Sequence, residues 1–228
     1  MKNQNKPALL KAAMFLAERG IVVDGIFQMS IKTNEFFETT LRNLISSLYN
    51  SRIGEVFITI LFNLVQGQLT QAFNQALINA GLLESDMLPE WQAELASTIS
   101  QQQVHIPGLF RAVIDARVDE RPLSSVIGRA SLWANQWDSM FIRAGILVAE
   151  VGEKKKWIFG DAEHCSSCLS LNGVVAFASE WDKTGVQPRN APNAKLECGG
   201  WRCKCRLEKT TQRRSPLAIS KIEGFAKQ

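Results

Sequence analysis

Apolar residues recur at helical spacing through the first two thirds of the chain. Residues 8–19 (ALLKAAMFLAER) predict a short helix that Gly20 ends, because glycine most easily adopts the backbone that leaves a helix C-terminus. Asn34 can cap a second helix, with Glu35 and Glu38 in its first turn and Phe37, Leu41, Leu44, Ile45 and Leu48 along one stripe. A longer pattern covers Ile53 to Ala80, with Phe57, Leu61, Leu64, Leu69, Ala72, Phe73, Ala76 and Ala80 inward, Gln66, Gln71 and Gln75 outward, and Gly81 as its end. Pro89 opens a segment through Gln103, and Pro107 separates it from Leu109–Ala116 by a loop at His105–Gly108. A last helix starts at Ser124 after Pro122, and Val126, Ala130, Trp133, Trp137, Met140 and Ala144 form its core face.

From Trp157 the helical period is lost. Short segments follow: WIFGD, HCSSC, LSLNGVVAF, a proline-bearing loop and LECGGWRCKCRL. Asn172-Gly173 between apolar residues predicts a tight β-turn with positive φ at both turn positions. The expected fold class is therefore α+β. It comprises a mostly helical module over residues 1–150, a small zinc-stabilised β-rich module over 151–209, and a flexible tail over 210–228. The second module has a thin apolar inventory, namely Trp157, Phe159, Leu169, Val174, Phe177, Trp181 and Trp201. So short a unit calls for a staple. In the tail, Leu217, Ile219, Ile222 and Phe225 are spaced like an anchoring helix that orders on a partner.

Composition excludes several classes. With 228 residues, 46% hydrophobic and 21% charged, the chain has the proportions of a folded protein and not of a collagen or a disordered one. The apolar run Val56–Phe62 is broken by Thr59 and closed by Asn63, too short a run to cross a bilayer, and Lys11 interrupts any leader-like stretch. A cytosolic protein without a membrane partner is expected. The net charge of +4 is unevenly placed: residues 1–150 carry −2 and residues 151–228 carry +6. Lys154-Lys155-Lys156 and Arg213-Arg214 are the densest basic runs, available as a docking face.

The cysteines supply the chemistry. Cys165, Cys168, Cys198, Cys203 and Cys205 fall within 41 consecutive positions, and the rest of the chain has none. A C-x2-C pair followed, after 29 intervening residues, by C-x4-C-x-C reads as a structural zinc site, one ion per chain, held by four thiolates at roughly 2.3 Å. Cys165, Cys168, Cys198 and Cys203 are the expected ligands. Cys205 rivals Cys203, since the two share a face if the segment is a strand, and His164 competes for a place. Free reduced thiols or disulfides are the structural alternatives.

Catalysis finds little support. The sequence holds no Gly-rich phosphate loop, no nucleophile elbow, and no H-x-E before a P-C-x-x-C as zinc deaminases require. His105 has no second ligand near it, and Trp133 and Trp137 read as packing residues. A non-enzymatic protein with no small-molecule substrate is expected.

Trp157 to Leu207 resembles the C-terminal region of phage Mu F-like head morphogenesis proteins, also called minor head or minor capsid proteins. The resemblance rests on Trp157, Asp161, Cys165, Cys168, Leu171-Asn172-Gly173, the loop from Pro188 to Pro192, and Cys203-Lys204-Cys205-Arg206. Arg129 to Asn135 looks like the arginine-bearing helix that precedes this region in relatives. Many relatives place a histidine before the closing cysteines; here Leu196-Glu197-Cys198 stands there and Cys198 substitutes for it. The resemblance implies a non-enzymatic phage or prophage protein of head assembly that docks on portal or capsid, with packaged DNA as a further contact. It would be found in the bacterial host cytoplasm during assembly and in the virion. The alternative is a zinc-dependent nucleic-acid-binding protein, for which the +6 charge and Trp201 are the warrant.

Overall fold

The computed structural model describes residues 34–201 and 203–224. The helix expected over residues 8–19 and the tail residue Phe225 lie outside the described residues. The elements are α1 (Asn34–Tyr49), α2 (Val56–Asn79), a 3-10 turn (Glu84–Asp86), α3 (Pro89–Gln103), α4 (Ile106–Val118), α5 (Ser124–Ile127) and α6 (Arg129–Leu147). They continue with β1 (Lys154–Ile158), α7 (Ser166–Leu171), β2 (Val175–Phe177), α8 (Ala178–Thr184), β3 (Arg206–Thr210) and α9 (Ala218–Glu223). The described residues form two compact units, one of residues 34–68 and 97–134, the other of 69–96 and 135–224.

The first unit is helical. The stripe of α1 is buried as its spacing predicts, with Phe37, Leu41, Leu44, Ile45 and Leu48 packed against α4 and α5. Ile106, Leu109, Val113 and Ala116 of α4 meet this face, and Phe57 lies 6.1 Å from Phe110 between ring centroids. Pro107 sits in the first turn of α4, where its missing N–H costs no helical bond, so the break from α3 is confined to Val104 and His105. Gln68, buried, donates from Nε2 to the Ala134 carbonyl (3.2 Å). The helix expected from Ser124 onward is two helices: Gly128 ends a single turn, and the Ser131 hydroxyl takes the Gly128 carbonyl (2.8 Å).

The second unit joins helices to a small sheet and is mixed, not β-rich. Its antiparallel strands run in the order β2-β1-β3, with Lys156 opposite Val175 and Trp157 opposite Leu207. Leu69, Ala72, Phe73, Ala76 and Leu77 of α2 are buried. A core forms around Trp157 and Trp181, whose rings are 5.7 Å apart, and draws in Leu171, Val174, Ala176, Val186 and Leu196. It also recruits Ile142 and Ile146 from α6, and Ala218 and Ile222 from α9. The core is therefore richer than the inventory read from residues 157–201, while Leu169 (60% exposed) and Trp201 (44%) stand outside it. The tail expected to be free has a docked helix, because Ala218 and Ile222, four residues apart, fall on one face. Trp133 and Trp137 are only half-buried, and Trp137 stacks on Phe141 at 5.1 Å.

Asn172-Gly173 turns the chain out of α7. Asn172 has φ −57° and ψ 130° and Gly173 has φ 79°, and Val174 N–H donates to the Leu171 carbonyl (2.9 Å). These are the angles of a type II turn, so only the glycine position needs positive φ, in place of the hairpin turn the dipeptide suggested.

Among the described residues one helix, α2, is long and apolar enough to cross a membrane, a length the broken run Val56–Phe62 did not reveal. Half of its most apolar stretch is buried inside the fold.

Candidate metal centre

The cysteines arrive from three segments on the margin of the second core. Cys165 is the N-cap of α7, with extended backbone, and its sulfur accepts the Cys168 N–H at 3.5 Å. One helical turn thus folds the C-x2-C pair onto itself, the geometry that lets two thiolates face one cation. Cys168 is buried, at 2% exposure, whereas Cys165 and Cys198 are half-buried.

Cys198 is brought in by its neighbour. The Glu197 carboxylate accepts from the Ser166 N–H (2.7 Å) and the Ser166 hydroxyl, and Glu197 N–H donates to Ser167 Oγ (3.0 Å). The two Ser166 bonds hold the Glu197 carboxyl below the usual carboxylate range. Behind it, the loop closes through Asn193 N–H to the Gly199 carbonyl (2.8 Å) and Trp201 N–H to the Cys198 carbonyl (3.0 Å).

Cys203 and Cys205 lead into β3. Their backbone is tied by Arg189, which donates to the carbonyls of Lys204 (2.9 Å) and Cys205 (3.1 Å) and pairs with Asp138 of α6 (2.5 Å). Gly160 lies against the same strand entry: a methyl group added there would sit 1.9 Å from the Lys204 carbonyl oxygen. Only glycine permits this approach.

The sulfurs form two triads that share Cys168. Cys165, Cys168 and Cys198 lie within 4.8 Å of one another, and so do Cys168, Cys203 and Cys205. All five cysteines are free thiols, so the expected Cys165, Cys168, Cys198 and Cys203 stand in one cluster with Cys205. Hydrogen bonds from the Cys168 and Cys203 thiols, with further help from Gly160 N–H and the Trp157 indole, outweigh burial and pull the Cys205 thiol down to about 3. Cys168 moves the opposite way, raised by sharing its proton with Cys203 and Cys205. Burial pushes Cys198 up to about 11; in Cys165 the same burial is outweighed by hydrogen bonds from Cys168 and Cys198, which lower it.

The Trp157 indole N–H is fully buried and makes no well-formed hydrogen bond, and its positive end favours a thiolate at Cys205. Such an environment suits a cation, which replaces the thiol protons and leaves thiolate acceptors for the N–H groups around them. His164 stacks on Phe159 (3.8 Å between centroids, 11° between planes) and places Nδ1 3.8 Å from the Cys205 sulfur. His105 is remote in role: it is exposed and supplies a carbonyl to the first turn of α4.

The residues around the cysteines that sequence reasoning missed are Gly160, Arg189 and Glu197. None carries a motif, because each acts through a contact between segments distant along the chain. The basic runs, in turn, are largely engaged within the protein. Lys154 Nζ donates to the carbonyls of Thr211 (3.3 Å) and Gln212 (2.7 Å), Lys155 pairs with Glu153 (2.7 Å), and Arg214 pairs with Glu180 (2.6 Å). Lys154-Lys155-Lys156 lies on the central strand, half-buried, with Lys154 and Lys155 engaged in these contacts. No protein-family model, no curated protein and no solved structure matches this chain.

Proposed function

We propose that this protein is a non-enzymatic assembly protein of a phage or prophage head, and that its cysteine-bearing unit is pinned by zinc and docks on portal or capsid. The observation that carries the metal part is the convergence of five free thiols from three segments onto one buried margin. Zinc is the ion that best fits an all-sulfur donor set with histidine beside it. Bound zinc would tie α7, the 193–200 loop and the entry to β3 together. Arg189 and Glu197 hold the ligand-bearing backbone from behind.

The docking part rests on the resemblance of Trp157–Leu207 to Mu F-like head proteins. Two features of the unit agree with it: a core anchored on α6 through Ile142 and Ile146, and an overall basic composition. Because Lys154, Lys155 and Arg214 are engaged internally, the docking surface is assigned to the metal loop and β3 and not to the lysine run. Trp201, 44% exposed beside Cys198, favours the second reading, a zinc-dependent nucleic-acid-binding protein that stacks a base on the indole.

Co-sedimentation separates the two. The full chain is mixed with assembled portal, with capsid shells or with bare DNA. Retention on portal or capsid that Trp201→Ala leaves intact supports the head reading. Salt-sensitive binding to DNA alone, lost in Trp201→Ala, overturns it in favour of the alternative.

A further inference from the structure

Sulfurs bound to one tetrahedral zinc ion at roughly 2.3 Å stand roughly 3.8 Å from one another in every pair. A single four-sulfur site therefore needs four mutually adjacent thiols. Among the described residues the mutually adjacent sets contain three, and there are two of them, Cys165/Cys168/Cys198 and Cys168/Cys203/Cys205. Any four-sulfur site requires at least one pair from opposite triads to close up, whereas two ions sharing Cys168 require no such rearrangement.

We infer that the cluster is a dinuclear centre that takes two divalent zinc-class ions, with the Cys168 thiolate bridging them; this rests on the metal reading above. Cys168 suits the bridge by position and burial, being the one sulfur common to both triads and only 2% exposed. The first ion is held by Cys165, Cys168 and Cys198, and its remaining place is left to solvent, since Cys165 and Cys198 are half-buried. The second is held by Cys168, Cys203 and Cys205; His164 Nδ1, 3.8 Å from the Cys205 sulfur with its ring stacked on Phe159, is a candidate for the fourth place and must move toward Cys168 and Cys203 to take it. Charge balance agrees. Two divalent ions bring four positive charges to five thiolates, so one net negative charge remains and no protonated thiol is trapped beside a metal.

The test is metal stoichiometry on the full chain, saturated with zinc, desalted without chelator and weighed by native mass spectrometry. Two zinc ions per chain are expected in the parent, one in Cys205→Ser and one in Cys165→Ser. Exchange of zinc for 113Cd is expected to give two resonances in the range of sulfur-rich cadmium sites. One ion in the parent, or two retained in Cys205→Ser, overturns the dinuclear assignment while leaving a metal centre in place. A folded parent that binds none overturns the dinuclear assignment and the metal reading together.

Discussion

Gly160 and Arg189 show how much of the cysteine cluster depends on residues outside it. A Cβ at position 160 meets the Lys204 carbonyl at 1.9 Å, so Gly160→Ala must push the Cys203–Cys205 segment away from Cys168. It is expected to destabilise the second unit by about 1–3 kcal/mol, the usual cost of forced overpacking, and to weaken metal retention as well. Denaturant unfolding with and without zinc checks this, and an unchanged midpoint and metal content would mean that the strand entry is soft. Arg189→Ala removes the Asp138 ion pair and two carbonyl bonds at once, leaving Asp138 without that partner. A loss of about 2 kcal/mol is expected. Arg189→Lys should rescue little of it, because an ammonium cannot reproduce the forked geometry.

At the level of elements, acid should act on the frame around the sheet. Arg214 holds the Glu180 carboxyl below the usual carboxylate range, with Phe177 N–H adding to the effect against burial. Burial pushes Glu153 up, but Lys155 and Lys209 outweigh it and lower it. Both folded values lie below the unfolded ones, so the unfolded chain binds protons first. The stability these groups contribute is present above about pH 4.5 and is lost as pH falls through the folded values. Urea midpoints measured between pH 6 and pH 3 should fall in that window, and Glu180→Gln should flatten the fall. An equally steep fall in that variant would assign acid lability to other groups. The helices were legible in sequence where one face meets one core, as in α1, and Pro89 and Pro107 marked their boundaries. The break at Gly128 was not, since Val126, Ala130 and Trp133 continue the apolar spacing across it. The mixed character of the second unit was also hidden, because its core borrows Ile142, Ile146, Ala218 and Ile222 from segments with no local signal of belonging to it.

For the whole molecule, metal removal should have a local signature. The second core has Trp157, Trp181 and the flanking helices to support it, so chelation should raise amide exchange over residues 159–168 and 193–205, with α6, β1 and α9 keeping their protection. Uniform loss across both units would instead indicate a single cooperative fold. The clustering of Cys165, Cys168, Cys198, Cys203 and Cys205 was readable from spacing alone, since C-x2-C and C-x-C fix neighbours within a turn or a strand. How they divide around Cys168 was not, because that depends on Gly160, Arg189 and Glu197 reaching across from other segments. Whether these thiols hold metal in the folded protein is read by measuring zinc content and reactive thiols on the same native sample, purified without chelator. Sulfur-bound zinc is expected, with thiols that resist a thiol reagent until a chelator is added. A folded, zinc-free chain with all five thiols reacting at once would contradict the metal reading.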